Sequence, residues 1–192
     1  MRYIVLVAIL LFGGCSIKNV DKRAQNYRLE PQNTLHVKSK TDDRVLRVQR
    51  VEGDSAVMTR SILYKKDGAL KPYKYGRWSE LPATRLQEIF TESIEYQKIF
   101  KATVNSRSYA MADVILESSL ENFEELYSKE DSRVHVKIRF RLIKRQGATI
   151  LDTILIESIK PVEQKGASGV VIAYNSAVAE VVEKLSEWLY AK

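Results

Sequence analysis

One residue of this chain stands out for its chemistry: Cys15, which carries the only thiol among 192 residues. A lone thiol has no partner for an intrachain disulfide. Before it come the basic Arg2, an apolar run over residues 3–12, and then Gly13 and Gly14. This order of charge, apolar stretch and small residues is typical of a secretory signal. The run is shorter than the ~20 residues of a membrane-spanning helix, so we expect a signal that is removed.

The residues just before Cys15 resemble the lipobox of bacterial lipoproteins, with Phe12 where leucine is usual and Leu11 one position further back. The resemblance implies that the thiol is diacylated and that the chain is cut before Cys15 and acylated at its new amino terminus. Several acyl chains make a stable anchor, since each buried methylene contributes ~0.8 kcal/mol. Aspartate directly after the cysteine resembles a signal for retention in the inner membrane. The chain has Ser16 there, which resembles release to the outer membrane, with the domain facing the periplasm. The alternative is an ordinary secreted protein with an unpaired thiol.

Motifs for catalysis are missing from the rest of the sequence. We find no Gly-rich phosphate loop and no G-x-S-x-G, and the two histidines, His36 and His135, belong to no cluster that would hold zinc. Neither histidine has the context of a base for a Ser or Thr nucleophile. A short acidic stretch is interpreted as a solvated strand edge and not as an acid/base pair: Glu117, Glu121, Glu124 and Glu125. We therefore expect neither enzymatic activity nor a cofactor or metal.

The composition indicates one globular domain with a basic surface. Hydrophobic residues make up 45% of the chain, and 31 Lys and Arg against 24 Asp and Glu give a formal charge of +7. We predict a signal peptide over residues 1–14, the lipidated cysteine and a tether over 15–26, and a single domain over 27–192. A basic surface favours an anionic membrane or a protein partner over nucleic acid, which an exported protein seldom meets. A basic surface with no specific target is an equally open alternative.

The clearest structural pattern in the sequence predicts a hairpin over residues 133–159. Its first strand alternates apolar residues (Val134, Val136, Ile138, Phe140, Leu142) with polar ones (His135, Lys137, Arg139, Arg141). A second hairpin is predicted over residues 56–75, because Lys66, Asp67 and Gly68 form a turn signal. Further strands are expected at 27–30, 45–51 and 112–125, with short ones at 34–37 and 102–104.

Two helices complete the prediction. The first begins at Pro82, whose missing N–H costs nothing in a first turn, and shows three-and-four spacing of apolar residues up to about Gln97. The second follows Gly169 and carries one apolar stripe: Val171, Tyr174, Val178, Val181, Leu185 and Trp188. The expected architecture is α+β, an antiparallel sheet built from hairpins with both helices packed on one face.

Several motifs follow one another along the mature chain: residues 27–31, 46–48, 61–64 with 73–78, 81–100, 116–123 and 173–189. In order and spacing they resemble the auxiliary lipoproteins of ABC-type transport systems built around MCE proteins, the PqiC-like group. Lys65 departs from the pattern, which often has arginine at the end of that strand. The resemblance implies a non-catalytic protein that faces the periplasm and assists a transporter in moving lipids between the inner and outer membranes.

The resemblance implies an MCE-domain protein or ABC transporter subunits as partners. Our candidate contact surface is the first hairpin and its exit, since aromatic and cationic residues are enriched at interfaces: Tyr64, Tyr73, Lys74, Tyr75, Arg77 and Trp78. The alternative is that Trp78 closes the core and the tyrosines cover an edge strand.

Two other functions stay open. The domain could bind lipid directly between the sheet and the last helix, with Tyr174, Val178, Val181 and Leu185 lining the site, although plain core is the favoured interpretation of that stripe. It could also be a structural lipoprotein of the envelope or of a secretion apparatus. A homo-oligomer is compatible with each of these functions.

Overall fold

The computed structural model of the protein describes residues 24–32, 35–37, 41–54 and 57–192. Within them lie eight strands of one sheet and two helices: β1 (Gln25–Tyr27), β2 (Asp42–Gly53), β3 (Ser61–Lys66), β4 (Ala69–Trp78), α1 (Pro82–Gln97), β5 (Phe100–Asn105), β6 (Val114–Leu126), β7 (Arg133–Lys144), β8 (Thr149–Pro161) and α2 (Ala167–Tyr190). The predicted α+β class is confirmed. No helix in these ranges is both long and apolar enough to span a membrane.

Both predicted hairpins are present, and their turns explain why. The chain reverses between β3 and β4 at Asp67 and Gly68, which both have positive φ, as the tight turns of hairpins require. Between β7 and β8 the same role falls to Gly147 and Ala148, also at positive φ. The five apolar residues that alternate along β7 from Val134 to Leu142 are all buried, whereas the polar residues between them lie on the other face of the sheet. The alternation of apolar and polar residues therefore predicted this strand correctly.

The sheet is mixed, which corrects the prediction of an antiparallel sheet. Strand β6 pairs along its whole length with β7, and its other edge is shared by two strands placed one after the other. β2 runs parallel to the first half of β6, and β3 runs parallel to its end. A turn at Asp54, whose carbonyl accepts from the N–H groups of Val57 and Met58, lets the chain continue in the same direction. β1 and β5 add further parallel pairs, to β4 and β2 respectively.

Both helices pack on one face of the sheet, as predicted. Phe90 of α1 meets Phe140 of β7 edge to face at 5.3 Å between ring centroids. On α2, Tyr174 stacks on Phe123 of β6 at 4.3 Å, and Phe123 and Phe140 share this face of the sheet. Where the helices meet, the buried Gln97 amide donates to the hydroxyl of Ser186 at 2.6 Å. The hydrophobic core therefore lies between the helices and one side of the sheet.

The first strand differs from the prediction. It was expected at 27–30, but β1 runs from Gln25 to Tyr27 and residues 28–30 lie outside it. The short strand expected at 34–37 is absent from its described part, residues 35–37. Cys15 and the predicted signal lie outside the described residues.

Candidate functional site: a tyrosine-lined groove

Three tyrosines form a cluster where the first hairpin lies against the end of β6. The Tyr64 ring contacts the Tyr73 ring edge to face at 5.3 Å and the Tyr127 ring at 5.6 Å. The hairpin places Tyr64 on β3 and Tyr73 on β4, while β3 runs beside the end of β6 and brings Tyr127 next to them. The backbone fixes this neighbourhood, since the N–H of Tyr127 donates to the carbonyl of Lys65 at 2.9 Å.

Below this cluster lies a buried acidic group. The hydroxyl of Tyr73 donates to Oε2 of Glu125 at 2.6 Å, and Glu125 is only 2% exposed. Burial, and then this hydrogen bond, raise the pKa of the Tyr73 hydroxyl well above its ordinary value. Tyr73 therefore stays protonated at neutral pH and serves as a hydrogen-bond donor.

Lysines cover two of the tyrosine rings. The Nζ atom of Lys66 lies 5.4 Å from the Tyr127 ring centroid, and that of Lys74 lies 5.1 Å from the Tyr75 ring centroid. Such contacts are attractive because the face of an aromatic ring carries partial negative charge. They keep the ammonium groups at the surface while the rings present apolar area, so this surface offers positive charge and aromatic contact together.

These residues line a groove of about 1010 Å³, which we call the tyrosine groove. Its tyrosines come from four places in the fold: Tyr27 on β1, Tyr64 on β3, Tyr73 and Tyr75 on β4, and Tyr127 after β6. The opposite wall is the start of α2, formed by Gly166, Ala167 and Ser168.

Glycine at position 76 lets α2 approach β4, because a Cβ there would lie 2.5 Å from the Cβ of Ala167. Ala24 also lines the groove, so the chain enters the described domain at this site.

The predicted contact residues divide between this groove and other places. Tyr64, Tyr73, Lys74 and Tyr75 line it. The Arg77 guanidinium lies outside the lining and donates to Oδ1 of Asn26 at 2.9 Å. Trp78 is 2% exposed and packs against Phe123 and Tyr174, so its side chain belongs to the core and not to the surface.

Sequence reasoning missed the other walls of the groove. Tyr27 was placed in a first strand, but nothing local shows that β1 pairs with β4. Tyr127 and the start of α2 lie far along the chain from the hairpin. Their approach depends on the parallel pairing of β3 with β6, which leaves no short-range signal in the sequence.

The residues predicted for a lipid site lie in the core. Tyr174, Val178, Val181 and Leu185 are all buried between α2 and the sheet. The Tyr174 hydroxyl has no hydrogen-bond partner within the described part of the chain. Its burial, and then the nearby carboxylates Glu124 and Glu125, raise the pKa of Tyr174 well above its ordinary value. These side chains belong to the hydrophobic core.

The acidic and histidine residues of the described ranges show no metal-binding arrangement. Glu124 and Glu125 are neighbours on one strand, so they point to opposite faces of the sheet. His135 contacts Glu157, with Nε2 and Oε1 2.6 Å apart. In the described ranges, no group of three or more His, Cys, Asp or Glu side chains is placed to hold a metal ion.

The fold occurs in other solved structures. A Xanthomonas campestris protein of the family called DUF330 superimposes with a TM-score of 0.78 at 15% identity, over 88% of this chain and 95% of that one. An uncharacterized protein superimposes with a TM-score of 0.65 at 12% identity, over 82% and 99%. A hypothetical protein of Chlamydia trachomatis gives 0.51 at 6% identity, over 78% and 99%. At these identities the likeness establishes the α+β fold.

The sequence match is more specific. The chain belongs to the family of ABC-type transport auxiliary lipoprotein components, whose model matches residues 27–186. The resemblance expected from the motifs is therefore confirmed. As a member, the protein is a membrane-anchored lipoprotein that serves as an accessory component. No curated protein matches this chain.

Proposed function

We propose that the protein is a lipid-anchored subunit of an ABC transport complex built around an MCE protein, which moves lipids across the periplasm. Cys15 carries the acyl chains, and the domain faces the periplasm from the outer membrane. The protein acts by binding a transporter subunit and not by catalysis. The anchor confines the domain to a thin layer at the bilayer, which raises its effective concentration for a membrane-bound partner.

The tyrosine groove is the observation that carries this proposal. Five tyrosines from four places in the fold line one concave surface, and tyrosine provides large contact area with a polar end, which suits protein interfaces. Lys66 and Lys74 add positive charge at its rim. A partner segment with apolar side chains and acidic neighbours would complement both features, and its binding would weaken with salt.

Site-specific photo-crosslinking in native membranes tests this contact. A photoreactive residue in place of Lys74 is expected to crosslink to a transporter subunit, because Lys74 lies in the groove lining. The same residue in place of Glu183, which is exposed on α2 and outside that lining, is the matched control. Equal yields at both positions, or no transporter subunit among the products, would contradict the assignment of the groove.

Two substitutions separate the contribution of the groove to partner binding from the contribution of the lipid anchor. Lys74→Glu should reduce recovery of the transporter subunit without changing membrane retention, whereas Cys15→Ser should release the domain from the membrane. If Lys74→Glu leaves recovery unchanged while Cys15→Ser abolishes membrane retention, the lipoprotein assignment survives and the groove assignment fails.

A further inference from the structure

A second pocket, of about 470 Å³, adjoins the tyrosine groove and has a buried carboxyl group in its lining. The two cavities share Tyr73, Tyr127 and Gly166 in their walls. Only the smaller one also includes Glu125, a residue that is 2% exposed. We call this cavity the Glu125 pocket. Its floor is therefore polar and charged, whereas the groove beside it is mainly aromatic.

The Glu125 carboxyl group has no cationic partner in the described part of the chain. Its side chain accepts one hydrogen bond there, from the Tyr73 hydroxyl to Oε2. Buried carboxylates are normally paired with a cation, because taking the charge out of water is costly. Glu180, although more exposed, pairs with both Lys160 and Lys184. The second oxygen of Glu125 is therefore available to a cation from another molecule.

The lining of the Glu125 pocket is anionic in an otherwise basic protein. Besides Glu125 it contains two exposed glutamates and two exposed lysines: Glu130, Glu163, Lys129 and Lys165. Three carboxylates against two lysines leave one net negative charge in the pocket, whereas the whole chain carries +7. Lys66, which covers the Tyr127 ring, is in the lining of the groove but not of this pocket. The charge of the lining therefore favours a cation.

The geometry favours a slender cation with a single charged nitrogen. The Tyr64 ring contacts the rings of Tyr73 and Tyr127 directly, which leaves no space between them for a bulky trimethylammonium group. A guanidinium group binds a carboxylate best through both oxygens, but Tyr73 already engages Oε2 of Glu125. A primary ammonium group is a compact point charge on a flexible stem, and one free oxygen is enough for it.

We propose that the Glu125 pocket binds a primary ammonium group, supplied by a lysine side chain of the transport partner. The source of the lysine rests on the proposed function, because the segment that occupies the tyrosine groove would carry it into the adjoining pocket. The ammonium group pairs with Glu125 and lies beside the rings of Tyr73 and Tyr127, so a charge-assisted hydrogen bond and cation–π attraction act together.

This arrangement gives the contact specificity. A partner that covers the pocket without bringing a cation would leave the Glu125 carboxylate unpaired and shielded from water. Such an unpaired charge discriminates against the wrong partner as strongly as new contacts favour the right one. Lys66 and Lys74 at the rim of the groove select acidic neighbours of the same segment. The partner segment is therefore expected to carry one lysine among apolar and acidic residues.

Binding of n-butylammonium tests the pocket without the partner, since this probe has the four-carbon stem and the ammonium group of lysine. Saturation-transfer NMR on the full chain, purified in a non-ionic detergent, should show that it binds and that n-butanol binds roughly tenfold more weakly. Glu125→Gln keeps the shape and an acceptor for Tyr73 but removes the charge, so it should weaken n-butylammonium binding on the order of tenfold. Glu124→Gln is the matched control, because Glu124 is also buried but is not in the pocket lining. Equal n-butylammonium binding by the native chain and Glu125→Gln would overturn the proposal.

Melting temperatures separate a role in binding from a role in folding. Glu125→Gln removes a buried charge that no cation compensates, so its melting temperature should equal or exceed that of the native chain. This result, together with weaker n-butylammonium binding, supports the pocket. A lower melting temperature with unchanged n-butylammonium binding would mean that Glu125 only stabilises the fold, and the proposal would fall.

Recovery of the transporter subunit by the full chain tests the source of the ammonium group. Glu125→Gln should lower this recovery on the order of tenfold, and Glu124→Gln should not. Acetylation of the lysines of the subunit removes their charge, so the acetylated subunit should bind the native chain and Glu125→Gln equally weakly. If the native chain and Glu125→Gln recover the untreated subunit equally well, the proposed function stands but the lysine contact is overturned.

Two further outcomes would reassign the occupant. If n-butylammonium binds at Glu125 but the native chain recovers no transporter subunit, the ammonium pocket stands, whereas the lysine source and the proposed function both fail. Phosphoethanolamine is the probe for the headgroup of an amphiphile. If it binds on the order of tenfold more tightly than n-butylammonium, and Lys165→Gln removes the difference, the ammonium group belongs to such a headgroup and the partner lysine is overturned.

Discussion

The Tyr73 hydroxyl donates a 2.6 Å hydrogen bond to the buried Oε2 of Glu125. This bond joins the first hairpin to the end of β6, 52 positions further along the chain. Because β3 pairs with β6 over only two residues, Tyr64 and Lys65, the bond is a main fixed contact beneath the tyrosine groove. The shape of the groove therefore depends on a polar pair at its floor as well as on apolar packing.

Replacing Tyr73 by phenylalanine should destabilise the protein. The substitution leaves the ring in place but removes the donor to a buried carboxyl group, and loss of such a hydrogen bond costs about 1–3 kcal/mol. Urea denaturation of Tyr73→Phe measures the change in the free energy of unfolding. Tyr64→Phe is the control, since Tyr64 contacts Tyr73 and Tyr127 through its ring, which phenylalanine keeps. A loss equal in both variants would show that the Tyr73–Glu125 bond contributes nothing specific.

Stability should fall at alkaline pH because of the same residue. Burial and the bond to Glu125 raise the pKa of Tyr73 in the folded state, so the unfolded chain releases this proton first as the pH rises. The contribution is full below the unfolded tyrosine pKa of about 10 and is lost above it. Unfolding titrations from pH 9 to 11.5 should therefore show a steeper decline for the native chain than for Tyr73→Phe, by at most about 1.4 kcal/mol per pH unit. Parallel curves would contradict the coupling.

The sequence predicted the parts of this fold that local patterns control. The β7 alternation, the Asp67–Gly68 turn and the Pro82 helix start each depend on neighbouring residues, and each was placed correctly. The parallel pairs of β2 and β3 with β6 connect residues about 60 positions apart or more, so neither turn chemistry nor periodicity reveals them. The tyrosine groove combines both cases. The aromatic and cationic residues of the hairpin indicated Tyr64, Tyr73, Lys74 and Tyr75, which line the groove. Tyr27, Tyr127 and the α2 start depend on pairings that only the tertiary structure shows.

Gly169 should not tolerate alanine, although it lies in a helix. Helix propensity alone favours alanine over glycine by about 1 kcal/mol. At this position an added Cβ would lie only 1.8 Å from the carbonyl oxygen of Gln164, and a backbone atom cannot turn aside as a side chain can. We expect Gly169→Ala to destabilise by about 1–3 kcal/mol, as overpacking does, measured by thermal unfolding. Ser168→Ala, one position earlier, is the control, and a higher melting temperature for Gly169→Ala would refute the close approach.

Stability at acid pH should depend on Glu180, which links α2 to β8. Burial alone would raise its pKa, but hydrogen bonds from Lys160, Lys184 and Ser158 outweigh that effect and lower the pKa of Glu180 to about 2. The unfolded chain, with the ordinary glutamate pKa near 4.5, takes up the proton first as the pH falls. The stabilisation is therefore present above about pH 4.5 and is lost toward pH 2.

Melting temperatures of the native chain and Glu180→Gln over pH 2–6 measure this contribution. The difference between them should be largest near pH 6 and shrink toward pH 2. Glu183→Gln, on the exposed side of the same helix, should show no such change with pH. A constant difference for Glu180→Gln across the range would mean that the ion pairs with Lys160 and Lys184 do not stabilise the fold.

Substitutions of Trp78 and Tyr75 should separate effects on folding from effects on partner binding. The two residues lie three positions apart, but Trp78 is buried and Tyr75 is exposed. Trp78→Ala removes a buried side chain that contacts Phe123 and Tyr174, and such changes cost about 3–5 kcal/mol. Tyr75 lies on the groove surface, so Tyr75→Ala should change the melting temperature little. We expect Tyr75→Ala to lose recovery of the transporter subunit from membranes while remaining folded. Trp78→Phe, which keeps an aromatic ring in the core, should lose some stability but retain that recovery. If Trp78→Phe abolishes recovery at a temperature where circular dichroism shows it folded, Trp78 takes part in binding despite its burial.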